Sequence, residues 1–200
     1  VNEEQIESSL IELAELGIEN VIAIRGDAKN GDAFPTQPSG YTHALQLIQK
    51  IKKYNSEGKT NLGIIVAGYP EKHPEAESLD SDLENLQRKI NSGGEIIITQ
   101  AVFDANIYYA YLQKARHKGI YVPIIPGVLL ITKQSQYDYA IQKLKITIPE
   151  EVKEYLQKES FDSEAVEFYK KIIKQLLSAG ALGIHVYSMN NIKLAKRILE

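Results

Sequence analysis

Cysteine is absent from the 200 residues. That excludes disulfides and thiolate metal sites, and it fits a reducing compartment, the cytoplasm. A basic surplus is also lacking. The 23 lysines and arginines stand against 26 aspartates and glutamates, for a formal net charge of -3, so no basic surface recommends nucleic acid as a partner. No apolar run approaches membrane-spanning length, and the longest are strand-sized. No signal-peptide pattern follows Val1, because Asn2, Glu3, Glu4 and Gln5 are polar. With Val1 rather than methionine at its head, the sequence is expected to begin inside a longer or processed protein. The remainder, 44% hydrophobic and 24% charged, is ordinary for one globular domain or part of a larger one.

One unit recurs five times: a helical pattern ends near a glycine, and a short apolar strand follows. Ile6, Leu10, Leu13 and Ala14 lead to Gly17 and Val21–Ile24. Leu45, Ile48 and Ile51 lead to Gly58 and Leu62–Val66. Leu83, Leu86 and Ile90 lead to Gly93 and Ile96–Ile98. Tyr108, Leu112 and Ala115 lead to Gly119 and Val122–Ile125. Ile172, Ile173, Leu176 and Leu177 lead to Gly180 and Leu182–Val186. Strands this apolar along their length are those of a parallel sheet covered on both faces. Alternation with helices predicts right-handed crossovers and an α/β fold, either a doubly wound open sheet or a (β/α)8 TIM barrel. No Gly-x-Gly-x-x-Gly follows the first strand, which weakens the open-sheet reading. Five units do not close an eight-stranded barrel, so in that reading three are expected to precede Val1.

In either architecture function collects at the carboxyl ends of the strands. Those ends read Arg25-Gly26-Asp27, then Gly68 through Glu75, then Thr99-Gln100, then Pro126-Gly127, then Tyr187-Ser188-Met189-Asn190. Taken singly, each has a bland reading as a turn, a surface loop or a strand cap. Together they favour a site, because polar residues recur at the same end of successive strands. The helix after the second strand carries an apolar stripe of Leu79, Leu83, Leu86 and Ile90. A separate polar stripe of Asp82, Asn85 and Lys89 suits either a solvated face or a grip on a polar ligand.

Five segments resemble methylenetetrahydrofolate reductase, in that family's order and at close to its spacing. They are Ala23-Ile24-Arg25-Gly26-Asp27, Ala67 through Ala76, Ile98-Thr99-Gln100 with Phe103-Asp104, Ile124-Ile125-Pro126-Gly127, and His185 through Asn190. The Tyr-Pro-Glu-x-His-Pro-Glu-Ala stretch at Tyr69–Ala76 is the most specific. The resemblance covers essentially the whole chain and implies a single, incomplete barrel domain over residues 1–200 whose strands correspond to the fourth through eighth.

It further implies FAD at the barrel mouth, reduced by NADH or NADPH, with hydride passed on to 5,10-methylenetetrahydrofolate in one-carbon metabolism. A homo-oligomer without nucleic-acid or membrane partners is expected. Position by position, it assigns Arg25, Gly26, Asp27, Tyr41, Tyr69, His73, Ala76, Asp82, Asn85, Arg88 and Lys89 to FAD. Arg88 and Lys89 suit phosphates, while Asp82 and Asn85 suit hydroxyls. Asp27, Gln100 and Gln136 fall at folate positions, Gln100 also at a nicotinamide contact. A neutral amide both donates and accepts, so Gln100 is expected to serve both ligands.

Two departures accompany the match. The family's general acid is a glutamate on the first strand, a part this sequence lacks, so the 200 residues alone are expected to be inactive. Asn191 stands where the family often has a folate-holding arginine. It motivates an alternative, a related flavin barrel acting on another one-carbon or pterin carrier; a further one is a non-catalytic fragment.

Asp27 is expected to tune the flavin as well as hold it. A carboxylate beside the N1/C2-carbonyl edge opposes the charge that reduction places there. At ~5 Å and an effective dielectric of ~20 the repulsion is roughly 3 kcal/mol, about 70 mV for a two-electron couple. Asp27→Asn should therefore raise the flavin midpoint by tens of millivolts, roughly half to all of that Coulomb figure. A side-by-side spectroscopic redox titration checks this, and an unchanged midpoint with slowed folate reduction leaves Asp27 a positioning role only.

Overall fold

The computed structural model describes residues 3–26, 43–158 and 161–200. Five strands, β1 (Asn20–Ala23), β2 (Gly63–Gly68), β3 (Ile96–Ala101), β4 (Ile124–Leu129) and β5 (His185–Tyr187), are hydrogen-bonded in chain order. The helices are α1 (Glu3–Glu15), α2 (Ala44–Ser56), α3 (Leu79–Asn91), α4 (Ala105–His117), α5 (Gln134–Tyr139), α6 (Glu150–Leu156), α7 (Phe161–Ser178) and α8 (Ile192–Leu199). A π-helical turn at Ala140–Leu144 continues α5. This is the α/β pattern of a partial TIM barrel, and the sequential strand order is not that of a doubly wound sheet. All five glycines that end the repeated helices have positive φ, as a left-handed helix end requires.

The chain divides into two compact units, one of residues 1–67 and 84–97, the other of 68–83 and 98–200. In the first, β1 and β2 pair in parallel, with Asn20 opposite Gly63 and Ala23 opposite Val66. Ile48, Ile51 and Tyr54 recur on one face of α2 and are buried. Asn55 joins that helix to β2. Its amide donates to the Leu62 carbonyl at 2.8 Å and accepts from the Leu62 N–H at 3.0 Å and the Thr60 hydroxyl at 2.7 Å.

In the second unit β4 and β5 pair in parallel, Gly127 opposite His185 and Leu129 opposite Tyr187. Here one expectation needs correcting. Pro126-Gly127 does not end the fourth strand, which runs on to Leu129. Proline's fixed φ suits extended chain, and only its missing N–H sets it apart. Gly127 is required for another reason. A Cβ there would collide with the Thr99 carbonyl oxygen and the edge of the Tyr187 ring. That ring crosses β4 and donates its hydroxyl to the Thr99 carbonyl at 3.0 Å.

Past β4, two buried tyrosines complete the strand end. Tyr169 Oη on α7 accepts from the Ile131 N–H at 2.8 Å and donates to the Leu129 carbonyl at 2.9 Å. Tyr155 Oη on α6 donates to the Ile131 carbonyl at 2.9 Å and lies 3.1 Å from Tyr169 Oη. Burial raises both phenol pKa values, that of Tyr169 from 10.0 to about 12. A raised folded-state pKa stabilises fully below pH 10.0 and is lost as pH climbs to about 12.

Tyr169→Phe orphans two buried backbone groups. It should destabilise the protein by about 2–6 kcal/mol, at about 1–3 per unpaired group, and flatten the alkaline loss of stability. Urea unfolding at neutral and alkaline pH measures both, and an unshifted midpoint would remove the tyrosine anchor.

Candidate active site

The Tyr69–Ala76 loop of the second unit is built around its own backbone. Lys72 sits in the left-handed region at φ 80°. Its ammonium turns inward to the carbonyls of Ala76 at 2.6 Å and His73 at 3.3 Å. The His73 ring stands edge-on to Tyr69, centroids 4.6 Å apart. Nδ1 of His73 accepts from the Glu75 N–H at 3.1 Å, which puts the proton of the neutral ring on Nε2. The loop is pinned by Asp82, whose carboxylate accepts from the His73 N–H at 3.0 Å. The Glu71 carboxylate receives the Thr147 N–H at 2.9 Å and the Thr147 hydroxyl. Close to the Asp82 carboxylate lies the buried Tyr111, 1% exposed. Burial first, then the Asp82 carboxylate, hold its pKa far above the usual phenol value.

The first unit contributes the later part of α3. Lys89 donates to the Ala67 carbonyl at 2.8 Å. The Arg88 guanidinium bonds to the Asn85 amide oxygen, both residues being exposed. Arg25 is half-buried just past β1, and Gly26 follows with φ 79°. Asp27 and Tyr41 lie outside the described residues.

The polar stripe of α3 is thus two different things. Asp82 is buried at 9% exposure and holds a loop, whereas Asn85 and Arg88 face outward. A buried carboxylate is retained where it is hydrogen-bonded, and its partner here comes from nine residues upstream, outside any helix pattern.

Gln100 and Gln136 both belong to the second unit and are half-buried. Gln100 Oε1 accepts from the Ala101 N–H at 2.9 Å, so one lone pair of the amide is already engaged. Gln136 Oε1 accepts from the Thr132 N–H at 2.7 Å and the Thr132 hydroxyl at 3.2 Å. Asn191, at the arginine position, caps α8 by accepting the Leu194 N–H at 3.1 Å. His185 stacks edge-on against Tyr187 at 4.5 Å, and burial lowers its pKa below the usual imidazole value. Thr132 and Tyr111 are not among the residues that the sequence singles out. Neither position carries a periodic signal, and the Thr132 hydroxyl is known only by its bond to the Gln136 amide. Among the described residues no cluster of three or more histidine, aspartate or glutamate side chains is placed to hold a metal, and no helix is long and apolar enough to cross a membrane.

The class defined by this fold and these strand-end residues is matched directly. The family model "Methylenetetrahydrofolate reductase" covers residues 1–200. The chain belongs to the methylenetetrahydrofolate reductase family. It is 34% identical over 212 residues to a "Probable methylenetetrahydrofolate reductase (NADH)" of Oryza sativa subsp. japonica, covering 98% of this chain and 35% of that protein. It is 29% identical over 187 residues to the "5,10-methylenetetrahydrofolate reductase" of Escherichia coli (strain K12), covering 91% of this chain and 60% of that one. The chain thus spans about a third of the plant relative and three-fifths of the bacterial one. An uncharacterized protein from Clostridium thermocellum, solved and described as binding two copies of 5-methyl-5,6,7,8-tetrahydrofolic acid, has the same fold. Its TM-score is 0.53 at 16% identity, over 91% of this chain and 70% of its own.

Replacing Asp82 tests its part in the loop. Asp82→Ala leaves the His73 N–H without its acceptor and should cost about 1.5–3 kcal/mol, the range for a hydrogen bond to a charged group. Asp82→Asn keeps an acceptor and should cost less than about 1.5. Denaturation midpoints, with amide exchange at His73, measure this; equal effects of the two variants would show that the bond does not pin the loop.

Proposed function

We propose that the protein reduces 5,10-methylenetetrahydrofolate to 5-methyltetrahydrofolate, using FAD reduced by NADH or NADPH. The observation that carries this reading is the Tyr69–Ala76 segment, the family's most specific stretch, held in a defined conformation by Asp82. The donor chemistry fits a flavin dinucleotide. The first unit offers an ammonium at Lys89, a guanidinium at Arg88 and an amide at Asn85. These groups suit pyrophosphate oxygens and ribose hydroxyls. The second unit offers the Tyr69 and His73 rings and the small Ala76 beside them. Arg25, Gly26, Asp27 and Tyr41 complete the assignment by resemblance.

FAD, when bound, supplies the hydride transfer itself. Lys89 contributes positive charge at the end of β2, where its contact with the Ala67 carbonyl fixes the ammonium. Asp82 acts indirectly, orienting the His73 loop. Gln100 and Gln136 contribute amide N–H groups toward substrate. Asn191 favours a second reading, a flavin barrel for another one-carbon or pterin carrier, because its side chain is engaged in the α8 cap.

Purified protein incubated with FAD should retain flavin absorbance through gel filtration. It should oxidise NADH or NADPH only when methylenetetrahydrofolate is supplied, in a chain that includes the general acid. Arg88→Ala with Lys89→Ala should weaken FAD binding by a few kcal/mol, at ~1.5–3 per charged hydrogen bond. Absence of flavin binding overturns the proposal. Flavin binding and reduction with no folate turnover favours the second carrier.

A further inference from the structure

Both glutamines of the second unit are held by their carbonyl ends, and this sets what they can recognise. A side-chain amide oxygen has two lone pairs. In Gln136 both are taken, by the Thr132 N–H at 2.7 Å and the Thr132 hydroxyl at 3.2 Å. The orientation is not interchangeable, since turning the amide over would set its N–H against the Thr132 N–H. Gln136 is therefore filled as an acceptor, and its Nε2 donates to none of the described residues. In Gln100 the Ala101 N–H takes the same end at 2.9 Å, and Nε2 is again without a partner among the described residues.

Thr132 itself stands on a rigid base. It follows Ile131, whose N–H and carbonyl are both bonded to the buried Tyr169 and Tyr155 hydroxyls. The chain of fixation runs from the tyrosine pair through Ile131 and Thr132 to the Gln136 amide.

We propose that Thr132 is a positioning residue that makes Gln136 a one-way hydrogen-bond donor, and that Gln136 thereby selects an acceptor atom of the substrate. The inference deepens the reductase reading and rests on it for the identity of the ligand. On a pterin ring, the acceptors are the carbonyl oxygen and the ring nitrogens without hydrogen, so the Gln136 amide faces one of those atoms rather than the exocyclic amino group, while Gln100 keeps one acceptor lone pair beside its two donors. The bond to the Thr132 N–H also closes the start of α5, a structural role any acceptor at position 136 would fill.

That overlap makes Gln136→Glu the decisive variant. A carboxylate still accepts from Thr132, so α5 stays capped, but it presents an acceptor where the amide presented a donor. The expected result is an unchanged or slightly higher unfolding midpoint with KM for methylenetetrahydrofolate raised on the order of 10- to 100-fold. FAD affinity and NAD(P)H-dependent flavin reduction should be unchanged. Thr132→Val should raise KM about three- to tenfold with kcat held, and Thr132→Ser should restore it.

A readout without substrate accompanies these: the side-chain amide resonances of Gln136 should be ordered in the wild type and lose order in Thr132→Val. Unchanged KM in Gln136→Glu, or an amide as mobile in the wild type as in Thr132→Val, overturns the proposal. A protein that binds no folate while its Gln136 amide responds to Thr132→Val overturns the reductase reading and leaves the positioning role standing.

Discussion

A strand of a parallel sheet ends with its backbone polar groups still in need of partners, and here side chains supply them. Lys89 meets the Ala67 carbonyl near the end of β2. Tyr187 meets Thr99 at the end of β3, Tyr169 and Tyr155 meet Leu129 and Ile131 after β4, and the Gln100 and Gln136 amides meet the N–H groups of Ala101 and Thr132. Buried N–H and carbonyl groups left unpaired would cost about 1–3 kcal/mol each. The residue types at the strand ends are therefore set by backbone need first and by ligand second.

The same constraint shapes the chemistry on offer. A glutamine whose oxygen already holds two donors, as Gln136 does, offers only hydrogens, and a lysine bonded to a carbonyl holds its charge in one place. Asp82 follows the same rule, since its carboxylate is committed to the His73 N–H. The amphipathic stripe of α3 thus divides into an inner residue that organises the loop and outer residues, Asn85 and Arg88, that meet whatever approaches.

Much of the fold was legible because it is periodic. Helix spacing, a closing glycine and an apolar strand recur five times, and all five strands appear. Boundaries were less legible. Pro126-Gly127 reads as a break, yet the strand passes through it, because only a crossing aromatic ring shows why glycine is needed there. The short α5, the π-helical turn and α6 carry too few turns for a stripe. In the site, residue types were readable and their orientations were not. Gln100 looked able to donate and accept, and only the Ala101 bond shows which end is engaged. Asn191 looked like a lost folate contact, and the structure finds it closing α8.

The passage of Tyr187 over Gly127 has a consequence for how such sequences diverge. The two positions lie 60 residues apart in the chain but share one volume. A side chain at 127 would meet the Thr99 carbonyl oxygen as well as the Tyr187 ring, so a smaller residue at 187 does not by itself make room, and it leaves that carbonyl without its donor. Neither change is accessible by itself without passing through a less stable intermediate. Glycine at 127 is thus held by neighbouring backbone as well as by the ring, and the Thr99 carbonyl ties both positions to one place.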